Sequence, residues 1–318
     1  MNQRMLFIYN PHAGKARLKS ELSDILDLYV RNGWDVNVHP TQFSGDATQF
    51  VAKRAHEFDL VVCSGGDGTI DEVVEGMTRS QKRIPIGYIP TGTVNDFASS
   101  LGLPKDIHEA AAAIVDAVPF PCDIGTFNGR HFNYVAAFGL FTEVSYSTPQ
   151  DVKNVLGKTA YLLEAAKEVL KMHTYHMKVV TEDRVVEGDY VYGSISNSHS
   201  VAGLPVPFHR VDLADGLMEM IFIKKPEPFR FLSMLEAMIS GTPDPEWFDV
   251  LRGSRFEITC EAPVRWTLDG EYGGTEQQII IAVDPKAVDL MVPKPKLELE
   301  AAKQTPQLPE TTDPTTNE

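Results

Sequence analysis

Four short apolar runs fill the first 125 residues, each followed by a turn and then by a helical pattern. Met5–Tyr9 stops at Asn10-Pro11, after which Leu18, Leu22, Ile25, Leu26 and Tyr29 recur at helical spacing until Gly33. Val36–His39, Asp59–Cys63 and Ile84–Ile89 read as the next strands, with helices over Ala47–Ala55, Ile70–Met77 and Val94–Leu101. Strands and helices in alternation build parallel βαβ units, and such sheets bind ligands at the carboxyl ends of their strands.

After about Asp123 the pattern changes. Val185–Ile195, Leu217–Ile223, Phe256–Cys260, Val264–Leu268 and Ile279–Val283 read as strands, several with period-two alternation. Helices are expected only over Val155–Leu170 and Pro228–Ser240. A β-rich second unit follows the α/β one, as 318 residues allow. Thr305–Glu318 carries three prolines and no aromatic residue, the composition of a disordered tail.

Charge narrows the partners. With 44 acidic against 29 basic side chains the net charge is −15, which excludes bulk electrostatic binding to nucleic acid. Contact with an anionic membrane then requires a local basic or apolar face. Cys63, Cys122 and Cys260 are too few and too scattered for a disulfide framework or a zinc site, which points to a reducing compartment. Met1–Asn10 is too short an apolar stretch for a signal peptide, and Tyr134–Phe141 is far below the ~20 residues of a membrane span. A soluble cytoplasmic protein is expected.

Four loops carry chemistry. Asn10-Pro11-His12-Ala13-Gly14-Lys15 leaves the first strand with a glycine and a cation that suit a phosphate; alone it is equally an ordinary turn. Ser64-Gly65-Gly66-Asp67-Gly68-Thr69 puts three glycines in four positions before a helix, letting backbone approach a ligand. Asp67 would repel a bare phosphate and makes sense with Mg²⁺ between the two; the alternative is an N-cap aspartate. Pro90-Thr91-Gly92-Thr93-Val94-Asn95-Asp96 either holds a nucleotide or simply caps its helix through Thr93 or Asn95. In Leu268-Asp269-Gly270-Glu271 the carboxylates share a face if the segment is a strand, as a general base and a metal ligand would. An Asp-Gly hairpin turn explains the same residues equally well.

Taken together, NPHAGK at 10–15, GGDGTIDEVVEGM at 65–77, PTGTVNDF at 90–97, CDIG at 122–125 and LDGEYGG at 268–274 resemble the bacterial diacylglycerol kinase family, in family order. The resemblance implies an α/β nucleotide-binding domain of the phosphofructokinase and NAD-kinase type and a β-sandwich second domain. It places the boundaries at 1–125 with 285–304, and 126–284, with the active site in the cleft between them. It implies phosphoryl transfer from ATP to the free hydroxyl of diacylglycerol, giving phosphatidic acid. By this resemblance Asn10, Pro11, His12, Ala13, Gly14, Thr41, Gly66, Asp67, Gly68, Thr69, Ile70, Asp71, Glu72 and Thr93 contact ATP. Asp67, Asp96 and Asp123 form the acidic network around the catalytic Mg²⁺. Glu271 is the expected proton acceptor with Asp269 beside it, and Asp67 is the other candidate for that role. A second, structural Mg²⁺ would sit on Asp212, Asp215 and the carbonyl of Leu217.

The resemblance also implies peripheral contact with the inner face of the membrane that carries the lipid, and a homodimer. Diacylglycerol is one of several lipid alcohols that would present the same hydroxyl. The main rival is a kinase of the NAD kinase type, which shares the GGDG loop but not NPHAGK or LDGEYGG. A catalytically retired binding protein is the other, and the full set of carboxylates speaks against it.

Overall fold

The computed structural model describes residues 3–13, 18–92, 95–139, 172–198, 200–201, 204–205, 212–227, 230, 233–234 and 244–294. The expected helix Val155–Leu170 and the tail from Thr305 lie outside them, as does most of Pro228–Ser240. The first half runs β1 (Gln3–Tyr9), α1 (Leu18–Arg31), β2 (Trp34–Pro40), α2 (Asp46–Arg54), β3 (Leu60–Gly65), α3 (Asp67–Thr78), β4 (Ile86–Pro90), α4 (Asp96–Ser100) and α5 (Ile107–Asp116). The second contains β5 (Val118–Phe127), β6 (Arg130–Phe132), β7 (Val135–Gly139), β8 (Tyr175–Val180), β9 (Val185–Ser196), β10 (Ser200–Val201) and β11 (Leu204–Pro205). It ends with β12 (Met218–Lys224), β13 (Phe248–Gly253), β14 (Arg255–Leu268) and β15 (Glu271–Val292).

β4, β3, β1 and β2 pair in parallel, in that order. Consecutive side chains of β1 therefore serve opposite faces. Leu6 and Ile8 pack with Ala47, Val51, Ile70, Val73 and Met77 of α2 and α3. Met5 and Phe7 pack with Ile25 and Tyr29 of α1 and Ile107 and Ile114 of α5. Helices on both faces explain why these strands read as unbroken apolar runs.

The β-rich half has its own core. Trp266, Phe138 and Phe222 sit at its centre, with ring centroids 4.9 Å apart for Phe138–Trp266 and 5.0 Å for Phe138–Phe222. Gly193 is required beside them, because a Cβ there would lie 2.3 Å from the Phe138 ring. The segments expected as two strands, Phe256–Cys260 and Val264–Leu268, form the single strand β14. A register shift between Thr259 and Val264 absorbs Pro263 as a bulge, which is where a strand tolerates proline.

β15 joins the halves. Its first part pairs with β14, and Leu290 pairs in parallel with Ile86 of β4. One sheet thus runs from the β-rich half into the α/β half. Side chains reinforce the junction. His131 Nδ1 lies 2.8 Å from Glu75 Oε2 on α3, and its Nε2 3.6 Å from Asp284 Oδ2 on β15. Arg79 also pairs with Glu75.

The Glu75 hydrogen bond raises the His131 pKa above 6.5, and the His131 hydrogen bond lowers Glu75 below 4.5. The stability from protonated His131 is complete below the unfolded value of 6.5 and is lost as pH rises through the raised folded value. The Glu75 share is complete above 4.5 and is lost as pH falls through its lowered folded value. Wild type should therefore lose more thermal stability than His131→Gln between about pH 6 and about pH 9. Parallel Tm-against-pH curves for the two proteins would refute the ion pair.

Candidate active site

Backbone hydrogen bonds gather the strand ends. Asn10 N–H donates to Ser64 O (3.0 Å), Thr41 N–H to Tyr9 O (2.9 Å) and Thr91 N–H to Gly65 O (2.8 Å). The loops after β1, β2, β3 and β4 therefore open at one edge of the sheet, where doubly wound sheets hold ligands. In the first, Asn10 Oδ1 accepts the His12 N–H at 2.9 Å and its carbonyl accepts the Ala13 N–H, an Asx turn. Gly14 and Lys15 lie outside the described residues.

Glycine is needed in the next two loops because their backbones touch. A Cβ on Gly92 would lie 2.7 Å from Gly66 Cα, and one on Gly65 would lie 2.3 Å from Thr69 Oγ1. At Gly68, an exposed residue, the space where a Cβ would point is open. No side chain caps α3. An uncapped helix start with open space before it suits an anion.

Asn95 organises the third loop from the left-handed region, φ 54°. Its Oδ1 accepts the Gly92 N–H (3.1 Å) and its Nδ2 donates to Gly92 O (2.9 Å). Its own N–H donates to Asp67 Oδ2 at 3.0 Å, so this loop also orients the aspartate of the preceding one. The sequence offers Asn95 as part of a nucleotide-holding loop or as a cap, and its role in orienting Asp67 belongs to neither; an Asn after Gly92 in a loop needing positive φ is the available signal. Thr93 and the Asp96 side chain lie outside the described residues. Glu72, expected at ATP, accepts the Gly45 N–H (2.7 Å) and the Ala47 N–H (3.1 Å), so its carboxylate holds the start of α2. Thr69 and Ile70 are buried.

The acids divide into two groups. Asp67 and Asp71 lie one turn apart on α3. Asn133 Nδ2 donates to Asp71 Oδ1. Burial raises the Asp71 pKa most, followed by the charges of Asp269 and Asp67, with Glu271 adding to them and the Asn133 bond opposing. Asp269 is buried and accepts three successive amides, from Asn133 (2.6 Å), Tyr134 (3.0 Å) and Val135 (2.9 Å). Its pKa is also raised by burial, against the pull of those donors.

Of the two readings of Asp269 and Glu271, one strand face or an Asp-Gly hairpin turn, the structure has the hairpin. Asp269 (φ 52°) and Gly270 (φ 88°) form the two-residue turn between β14 and β15. Left-handed pairs of this kind match the twist of a hairpin, which is why Asp-Gly occurs there. Asp269 points into the protein, while Glu271 is exposed as the first residue of β15.

Asp123 belongs to the second group. It is buried, and its carboxylate accepts the N–H of Gly216 (2.6 Å) and of Lys286 (2.7 Å). It is thereby tied to the loop of Asp212, Asp215 and Leu217 rather than to α3. Asp212 Oδ1 accepts the Ala214 N–H and Asp215 Oδ1 the Leu217 N–H, while Arg252 bridges Asp215 and Glu219. Burial pushes Glu219 up to about 7, and its Oε2 has no hydrogen-bond partner among the described residues.

Both groups are rich in carboxylate oxygen, although among the described residues only Glu21, Asp24 and His108 bring three ligand atoms within 4.8 Å of one another. After burial, Asp269 and Asp67 raise Asp71, and Asp67 also raises Asp269, while among the described residues the second group sets four carboxylates, one with an orphaned oxygen, against Arg252. Oxygen-rich sets of this kind select Mg²⁺ or Ca²⁺ over softer metals. Among the described residues no helix is long and apolar enough to cross a membrane.

Two family models match the chain. The diacylglycerol kinase catalytic domain covers residues 4–127, and the YegS C-terminal NAD kinase beta sandwich-like domain covers 136–292. A diacylglycerol kinase of Bacillus subtilis (strain 168) is 32% identical over 275 residues, 86% of this chain and 91% of that protein. One from Staphylococcus epidermidis (strain ATCC 12228 / FDA PCI 1200) is 33% identical over 278 residues, 86% and 87% of the two chains. A crystal structure of a diacylglycerol kinase from Bacillus anthracis str. Sterne shares the fold, with TM-score 0.73, 22% identity and 92% and 98% coverage. Another solved chain from that organism gives TM-score 0.77 at 26% identity, covering 93% of this chain and 99% of its own. An α/β domain bearing the glycine loops and a β-sandwich domain bearing the Asp-Gly hairpin, matched at this identity across most of the length, make the chain an enzyme of the diacylglycerol kinase family.

Proposed function

We propose that this enzyme transfers the γ-phosphoryl group of ATP to the free hydroxyl of diacylglycerol, giving phosphatidic acid. The observation that carries the reading is the convergence of the open start of α3 with the hairpin that ends in Glu271, the two being tied through Asn133. We take residues 1–125 with 285–304 as the nucleotide domain and 126–284 as the lipid domain, with the reaction in the cleft between them. That the Bacillus subtilis and Staphylococcus epidermidis relatives are diacylglycerol kinases supports diacylglycerol over NAD or another lipid alcohol.

In this reading the Asn10–Gly14 turn and Thr93 contact the nucleotide, and the amides of the Gly66–Gly68 loop receive its phosphates. Thr41 closes the nucleotide side, and Asp71 and Glu72 hold its loops. Mg²⁺, bound by Asp67 with Asp96, would neutralise charge on the transferring phosphoryl group. Glu271, exposed at the hairpin, accepts the proton of the lipid hydroxyl. That oxygen forms the new bond to the γ-phosphorus, the bond to the β–γ bridging oxygen breaks, and ADP leaves with the electron pair. Asp269 holds the hairpin that presents Glu271. The Asp212, Asp215 and Leu217 loop, anchored by Asp123, is the proposed structural Mg²⁺ site. The enzyme works on lipid at a membrane surface, and we propose a homodimer.

Asp67→Ala and Glu271→Ala should each lower kcat by roughly 100-fold or more with diacylglycerol in mixed micelles, while circular dichroism and Tm stay close to wild type. A panel of diacylglycerol, ceramide, undecaprenol and NAD with labelled ATP decides the substrate; label in NAD alone would overturn the lipid reading. Without nucleotide, Mg²⁺ should raise the Tm of wild type by a few degrees more than that of Asp215→Asn. Equal shifts in the two proteins would remove the ion from that loop.

A further inference from the structure

His131 and Asn133 flank Phe132, whose ring lies in the β-rich core against Gly125. The residues on either side of Phe132 both reach α3. His131 meets Glu75 and Asn133 meets Asp71, residues four apart on a helix and therefore roughly 6 Å apart along its axis. These two contacts, one from β6 and one from the bend that follows it, set a short segment of the β-rich half against the helix that begins at the glycine loop. Asp67 lies one turn further towards that loop on the same face.

Asn133 differs from His131 in a second contact. Its main-chain N–H donates to Asp269 Oδ2 at 2.6 Å, while its side-chain amide donates to Asp71 Oδ1. A single residue, 2% exposed, therefore touches the acid on the nucleotide side and the acid that holds the Glu271 hairpin. The side-chain bond is also the one hydrogen bond of the Asp71 carboxylate among the described residues.

We propose that Asn133 is a positioning residue of the kinase site, fixing the separation between the α3 start and the Glu271 hairpin by donating to Asp71 and Asp269 at once. The proposal rests on the kinase reading above. It follows from the chemistry of the amide: Asn133 is a neutral donor placed between two carboxylates, where an acid would repel both and an alanine would hold only one. Misplacement by about 1 Å at a reacting centre can cost about 100-fold in rate, so a link of this kind belongs in kcat and not in nucleotide affinity.

The test compares Asn133→Ala with Asn133→Asp in the full-length enzyme. Asn133→Ala should lower kcat by roughly 10- to 100-fold with KM for ATP within about twofold, because the amides that meet the phosphates are unchanged. Asn133→Asp preserves size and shape but removes the donor and adds charge, so it should be slower still and melt lower than the alanine variant. If Asn133 merely fills space, the isosteric aspartate would be the better tolerated of the two, and that order overturns the proposal. In the double variant Asn133→Ala/Asp71→Ala the rate loss should equal that of the slower single variant; losses that simply multiply overturn it as well. Should wild type itself leave diacylglycerol unphosphorylated, the kinase reading falls. A Tm cycle on the same four proteins then decides the link, with coupled losses supporting it and additive losses overturning it.

Discussion

A carboxylate buried without donors is among the costlier things a fold can contain, and Asp269 is made tolerable by three consecutive amides of the segment 133–135. Much of the candidate site depends on that arrangement. Those amides fix the hairpin between β14 and β15, which fixes where Glu271 emerges. The same segment enters β7, whose Ala136, Ala137 and Phe138 pair with the end of β14, so the hairpin is braced on both sides. Stripping one donor from a buried acceptor typically costs about 1–3 kcal/mol, which leaves the hairpin few alternative settings.

The halves are coupled by covalent geometry as well as by contacts. β15 belongs to both, pairing with β14 at one end and with β4 and β5 at the other. A continuous strand resists shear along its own length better than a linker would, and it holds Lys286 against Asp123 on the way. The 212–217 loop is therefore fastened to the strand that carries Glu271, although it lies apart from the α3 acids. Its two anchors, Asp123 and Arg252, come from different strands, so its shape reports on how both are seated.

The α/β half was legible because burial on both faces writes a strand as a continuous apolar run, and β1 and β3 read that way. Helix starts were off by a few residues: α3 begins at Asp67, not Ile70, since the glycine loop runs straight into its first turn. The β-rich half was harder to read. β13 and β8 mix polar and apolar residues because one face is exposed, and β5 carries two prolines, Pro119 and Pro121, that mask it. The acids Asp67, Asp71, Asp269 and Glu271 were all visible in motifs, but their partners were not. Asn133 and Asn95 act through main-chain and side-chain geometry together; Asn95 stands in the 90–97 motif without its role being legible there, and Asn133 stands in no motif at all.

The net charge of −15 takes on a more specific meaning in this setting. Such a chain does not draw phosphate by its overall field, so in the proposed reading recognition falls to backbone amides at strand ends, whose donors carry no net charge. Asp71 is raised by burial first and by the charges of Asp269 and Asp67 after it, which favours a cation near them. In the proposed reading the acid that would hold the cation, Asp67, lies at the α3 start beside those donors, and the proton acceptor Glu271 lies on the hairpin. What ties the α3 start to the hairpin is the short stretch from His131 to Val135, through its contacts with Glu75 and Asp71 on one side and Asp269 on the other.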